Sequence, residues 1–158
     1  MAALLDWLKQ AAMSRPDPFN LQRFVEAQRG VYEQALAEIA AGRKRSHWMW
    51  FIFPQIAGLG SSPMSVRYAI NSRAEARAYL DHDVLGPRLI ECTEAVLALE
   101  SGSATDVFGY PDDLKLKSSA TLFAAVSAPG SVFERVLEKW FAGERDRKTL
   151  SALAALQK

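Results

Sequence analysis

At 158 residues, with 49% hydrophobic and 23% charged content and a net charge of +1, the chain has the composition of one globular domain. That balance excludes long-range disorder and supplies no global field for a polyanion or a membrane surface, so any anion site must be local. Cys92 is the single cysteine, which excludes an intrachain disulfide and a thiolate metal cluster and fits a reducing, cytoplasmic setting.

Leu4, Leu5, Leu8 and Ala12 recur at helical spacing, and Asp6 and Lys9 interrupt the apolar run, so Met1–Met13 reads as a short amphipathic helix rather than a signal peptide. Pro16 and Pro18 break this pattern, setting residues 1–14 apart as an appended helix and 19–158 as a single helical domain. Asn20 is placed to cap a long helix whose apolar stripe runs Leu21, Phe24, Val25, Val31, Ala35, Ile39 and ends at Gly42. Ser46–Gln55 fits neither period 2 nor period 3.6, and Ile56–Ser65, with Gly58, Gly60, Ser61, Ser62 and Pro63, reads as a loop.

Ser72 reads as an N-cap, with Glu75 at the capping-box position, for a helix through about Leu80. Gly86-Pro87 opens a helix to about Leu99, and Ala104–Phe108 forms one helical turn before Gly109. Pro111, Asp112 and Asp113 open a helix to about Val126, since carboxylates favour the positive N-terminal end. Pro129-Gly130 separates it from Ser131–Phe141, and Gly143 precedes a last helix over Arg147–Leu156. Strand-like stretches remain only at Met49–Phe53 and Val66–Ile70, and no apolar run approaches the ~20 residues of a membrane span. The expected fold is all-α: a compact orthogonal domain of about six to seven helices.

The densest chemical signal is Arg43-Lys44-Arg45 followed at once by His47, Trp48, Trp50, Phe51 and Phe53. Cations attract phosphate and flat rings stack on a base, yet the same cations neutralise a helix end and the same rings fill a core. Both uses stay open. His47 suits proton transfer near neutral pH or a structural hydrogen bond. Gly58-Leu59-Gly60-Ser61-Ser62 can present backbone N–H groups to an anion, or can simply connect. Asp112, Lys115 and Ser118 share a helix face, as a pocket wall or as solvated surface. Arg88 can clamp an anion or pair with a carboxylate, and Cys92, in a stripe with Leu89, Val96 and Leu99, reads as a buried thiol. Two histidines and one cysteine give no metal-site spacing, and nothing calls for a cofactor.

The runs Lys44-Arg45-Ser46-His47-Trp48-Met49-Trp50-Phe51-Ile52-Phe53-Pro54-Gln55, Gly58–Ser62, Glu75–Leu80, Leu85–Leu89 and Asp112–Phe123 resemble a bacterial family catalogued as a domain of unknown function. Its members are sometimes auto-labelled "calpastatin", but the animal calpain inhibitor is a disordered repeat protein that this composition does not resemble. The resemblance covers about Phe19 to Phe141 and implies a mainly helical fold. The polar positions it marks fall on Lys44, His47, Gln55, Ser61, Tyr68, Arg88, Asp112, Lys115 and Ser118. With the neighbouring tryptophans these types suit a pocket for a phosphorylated or nucleotide-derived molecule. A fainter likeness, in Phe24-Val25-Glu26-Ala27-Gln28, is to domains that process ADP-ribose conjugates.

The expected site is thus a pocket where His47–Gln55 meets Gly58–Ser62 and the helix from Asp112. Lys44, Arg88 or Lys115 would contact phosphate, Trp48 or Trp50 would stack, and His47 or Asp112 would move a proton. The alternative is a non-catalytic interaction module or homodimer that docks through Trp7 and Leu8, and the near-zero net charge argues against nucleic acid.

Overall fold

The structure, a computed structural model, describes residues 16–156, so the helix expected over Met1–Met13 lies outside the described residues. These residues form α1 Gln22–Gln28, α2 Tyr32–Ala40, α3 Met49–Ile52, α4 Pro63–Arg67, α5 Arg73–Asp81, α6 Leu85–Ala98, α7 Ala104–Phe108, α8 Asp112–Ala125, α9 Val132–Phe141 and α10 Arg147–Leu156. No strand forms among them. Of the two strand-like stretches, Met49–Phe53 is mostly the helix α3, and Val66–Ile70 contributes only Ile70, in an isolated parallel bridge with Ile56. There the Ile70 N–H donates to the Gln55 carbonyl and the Ala57 N–H to the Ile70 carbonyl, both at 2.8 Å. The fold is all-α, as expected.

The ten helices exceed the expected six to seven for identifiable reasons. The long helix expected from Asn20 to Gly42 is two helices, because Gly30 takes φ +74°, a left-handed conformation that does not continue an α-helix. Nor does Asn20 cap it: Asn20 itself has φ 52°. Asp17 serves instead, its carboxylate accepting from the N–H groups of Leu21 at 2.8 Å and Gln22 at 2.9 Å. Two further short helices, α3 and α4, occupy stretches whose patterns suggest irregular chain. In α4, Ser62 Oγ accepts from the Ser65 N–H, and Pro63 takes the first turn, where its missing N–H is no loss.

The remaining boundaries follow local chemistry. Ser72 Oγ accepts from the Glu75 N–H at 3.0 Å, although the Glu75 carboxylate reaches the Asn71 N–H rather than that of Ser72. Ser103 and Asp106 form a reciprocal capping box on α7. The buried apolar residues make one cluster, with Trp48, Tyr79, Phe24, Phe53 and Phe123 its largest fully buried members. α8 lies within it, packed against α5, α7, α9 and α10, and buries Leu116 and the whole run Ser118–Ala124. A helix enclosed on so many sides needs no single apolar stripe. One end of α8, near Asp112–Ser118, stays partly open, and the polar residues gather there.

Candidate functional site

Glu38, on the inward face of α2, organises the Arg43–Trp48 segment. The residue is only 9% exposed. Its Oε1 accepts from the Arg45 N–H at 2.7 Å, the Ser46 N–H at 3.0 Å and Trp48 Nε1 at 3.0 Å. Its Oε2 accepts from Ser46 Oγ at 2.6 Å and Gln34 Nε2 at 3.1 Å. Burial pushes this carboxyl up, but the hydrogen bonds from Ser46, Arg45 and Trp48 outweigh it and bring the group down to about 2. So held, the segment delivers Lys44 to α8. Lys44 Nζ lies 2.8 Å from Asp112 Oδ2, 2.6 Å from the Ser46 carbonyl and 5.1 Å from the centre of the Trp48 ring.

Lys115 approaches Asp112 from the other side, its Nζ 3.2 Å from Oδ1 and 4.9 Å from the centre of the Trp50 ring. Asp112 thereby holds two ammonium groups, each over an indole face, an arrangement in which ion pairing and cation–π attraction reinforce each other.

Lys115 also lines a cleft of about 330 Å³. One wall is Gln55, Ile56 and the Gly58–Gly60 loop with Ser65; the second is Pro111, Leu114, Lys115, Lys117 and Ser118; the third is Asp146 and Lys148 at the start of α10. Asp146 ties α10 to α8: its Oδ2 lies 3.2 Å from Ser118 Oγ, it accepts from the Thr149 N–H at 3.0 Å, and its own N–H donates to Thr121 Oγ1 at 2.9 Å. Lys117 Nζ pairs with Glu144 at 2.8 Å, and that lysine's hydrogen bond and charge hold the Glu144 carboxyl below the usual range. Lys148 has no ion-pair partner among the described residues. Four ammonium groups, on Lys44, Lys115, Lys117 and Lys148, therefore stand against three carboxylates, on Asp112, Glu144 and Asp146. Among the described residues, the N–H groups of Gly58, Leu59, Gly60 and Ser61 and the Gln55 carboxamide donate no hydrogen bond to protein.

Of the residues anticipated from sequence, Gln55, Lys115 and Ser118 line this cleft, and Lys44, Asp112 and Trp50 adjoin it through Lys115. Trp48 is fully buried, its ring against Phe53 and Phe108, so it is core and offers no free face. Tyr68 is also buried, packed on Phe24 and Phe51. Ser61 and His47 are exposed and stand outside the lining. Arg88 is outside it too: its guanidinium lies 3.3 Å from Gln28 Oε1 and 4.7 Å from the Tyr32 ring centre, contacts that hold α6 to α1 and α2. Cys92 is fully buried, and burial, with the charge of Glu91, pushes its thiol up to about 12.

Sequence reasoning missed Glu38, Asp146 and Lys148. Glu38 carries a readable sign, since it stands between Ala35 and Ile39 on the apolar stripe, where a carboxylate must find donors. Lys148 and Asp146 join the site only through the packing of α10 on α8. A second cavity, of about 820 Å³, lies between Pro16–Glu26 and Ala78–Val84. It is larger, but its charged lining is acidic, through Asp17, Glu26, Asp81 and Asp83, and it holds none of the anticipated residues.

No curated protein matches the chain. A solved structure, that of a conserved hypothetical protein from Mycobacterium tuberculosis, is similar at 55% sequence identity and a TM-score of 0.86, covering 87% of this chain and 99% of that one. The family model described as "Protein of unknown function (DUF1810)" matches residues 18–153, a span that includes the ion cluster on Asp112 and every cleft residue. The chain belongs to the DUF1810 family.

Proposed function

We propose that the cleft on α8 binds a small phosphate-bearing molecule. The observation that carries this reading is Lys148: it lines the cleft without a carboxylate partner among the described residues, in company with a loop whose N–H groups lack acceptors. An unpaired cation and free backbone donors together favour a compact anion. Lys115 and Lys117 add positive potential while Asp112 and Glu144 keep them in place.

Binding, rather than proton transfer, is what the geometry favours. Each Asp112 oxygen is engaged by an ammonium group, and His47 stands outside the lining. The test is thermal unfolding of the full chain with inorganic phosphate, sugar phosphates and nucleotides. A ligand at about 100 times its Kd stabilises the native state by about 2.7 kcal/mol. Lys148→Ala is expected to weaken that ligand at least tenfold while leaving the ligand-free melting temperature unchanged, because the side chain is exposed. A panel in which no anion raises the melting temperature would overturn the proposal.

A further inference from the structure

Resting on that phosphate-binding reading, we infer that the ligand is a mononucleotide: one phosphate joined through one sugar to a flat heteroaromatic ring. Polar groups alone gather at one end of the cleft, whereas at the other the apolar side chains of Pro111 and Leu114 stand beside Lys115. Pro111, Leu114, Lys115 and Ser118 follow one another at i, i+3, i+4 and i+7, which places them in order along one face of α8. Asp146 and Lys148 join at the Ser118 end, where Asp146 contacts the Ser118 hydroxyl. The opposite end is Pro111 and Leu114. Leu114 is 48% exposed, and Tyr110, which precedes Pro111, is 78% exposed. From Leu114 to Ser118 the helix rises about 6 Å, a distance that one ribose spans between a ring and its phosphate.

An apolar shelf of this kind, uncovered by protein, suits a ring face rather than a hydroxyl-rich sugar. Gln55 lines the same cleft with a carboxamide that lacks a side-chain partner among the described residues, so it offers a donor and an acceptor together, as the edge of a nucleobase requires. Size sets the upper limit. At about 330 Å³ the cleft lies at the small end of the roughly 300–1,000 Å³ typical of small-molecule sites, room for a mononucleotide and too little to enclose a dinucleotide such as NAD or a double moiety such as ADP-ribose.

Calorimetric titration of the full chain with inorganic phosphate, ribose 5-phosphate, the four common 5′-mononucleotides, their nucleosides and ADP-ribose tests the inference. At least one mononucleotide is expected to bind tenfold or more tightly than both ribose 5-phosphate and its own nucleoside, with ADP-ribose no tighter than that mononucleotide. Gln55→Leu and Leu114→Ser, both at the surface of the cleft, should erase the advantage over ribose 5-phosphate and leave ribose 5-phosphate itself unaffected. Lys148→Ala should weaken every phosphate-bearing ligand alike. Equal affinity for ribose 5-phosphate and all mononucleotides would overturn the inference while the phosphate-binding reading stood. ADP-ribose as the tightest ligand would overturn the size argument, and no binding by any phosphate would remove both readings.

Discussion

Glu38 shapes the site without touching the cleft. Five donors converge on its two oxygens, and four of them belong to the segment that carries Lys44. Because its carboxyl titrates near 2 in the folded chain and near 4.5 when free, the folded state binds this proton less readily than the unfolded state. The stabilisation is therefore fully present above about pH 4.5 and is lost as pH falls toward 2, to a total on the order of 3 kcal/mol. Urea unfolding at stepped pH checks this. Glu38→Gln is expected to cost about 2–4 kcal/mol at pH 7, since an amide turns N–H groups toward donors, and to flatten the decline between pH 4.5 and 3. An unchanged pH slope in Glu38→Gln would assign the acid sensitivity to another carboxylate.

Helix junctions show why some boundaries are legible from sequence and others are not. Ser72 is readable as a cap because the bond it makes, to the N–H of Glu75, spans three residues. The break at Gly30 is hidden, because Phe24, Ala35 and Ile39 keep one helical phase across it and all three are buried. α4 is hidden for the opposite reason: Ser62 and Pro63 suit a turn and a helix start equally. Much the same holds at the site. Lys115, Ser118 and Asp112 declare their shared face by spacing, whereas Lys148 and Asp146 lie on and just before a helix whose docking partner no local pattern names. The most demanding junction joins α5 to α6. A Cβ on Gly86 would stand 2.0 Å from the Leu80 carbonyl oxygen, which is backbone and cannot give way. Gly86→Ala is expected to cost about 3 kcal/mol or more, seen as a fall in melting temperature of 10 °C or so. Gly30→Ala, where strain is dihedral and no atom lies within 4 Å, should cost only about 1–2 kcal/mol. Equal losses at the two positions would mean that α6 can shift to relieve the clash.

At the scale of the whole molecule, one apolar cluster joins nearly every helix, and Cys92 is a probe set inside it. No helix among the described residues is long and apolar enough to cross a membrane. Because the thiol is fully buried and burial raises it, a disulfide reagent at pH 8 should label native protein far more slowly than denatured protein, at a rate that tracks opening of α6. Full labelling of the native chain within seconds would contradict the burial of this helix. The ion cluster on Asp112 has a consequence of another kind. Lys115 poises a positive charge above the half-buried Trp50 ring, and the same residue lines the cleft. Any anion that draws Lys115 toward itself lifts that charge off the indole, so occupancy of the cleft is written into the emission of a chromophore the protein already carries.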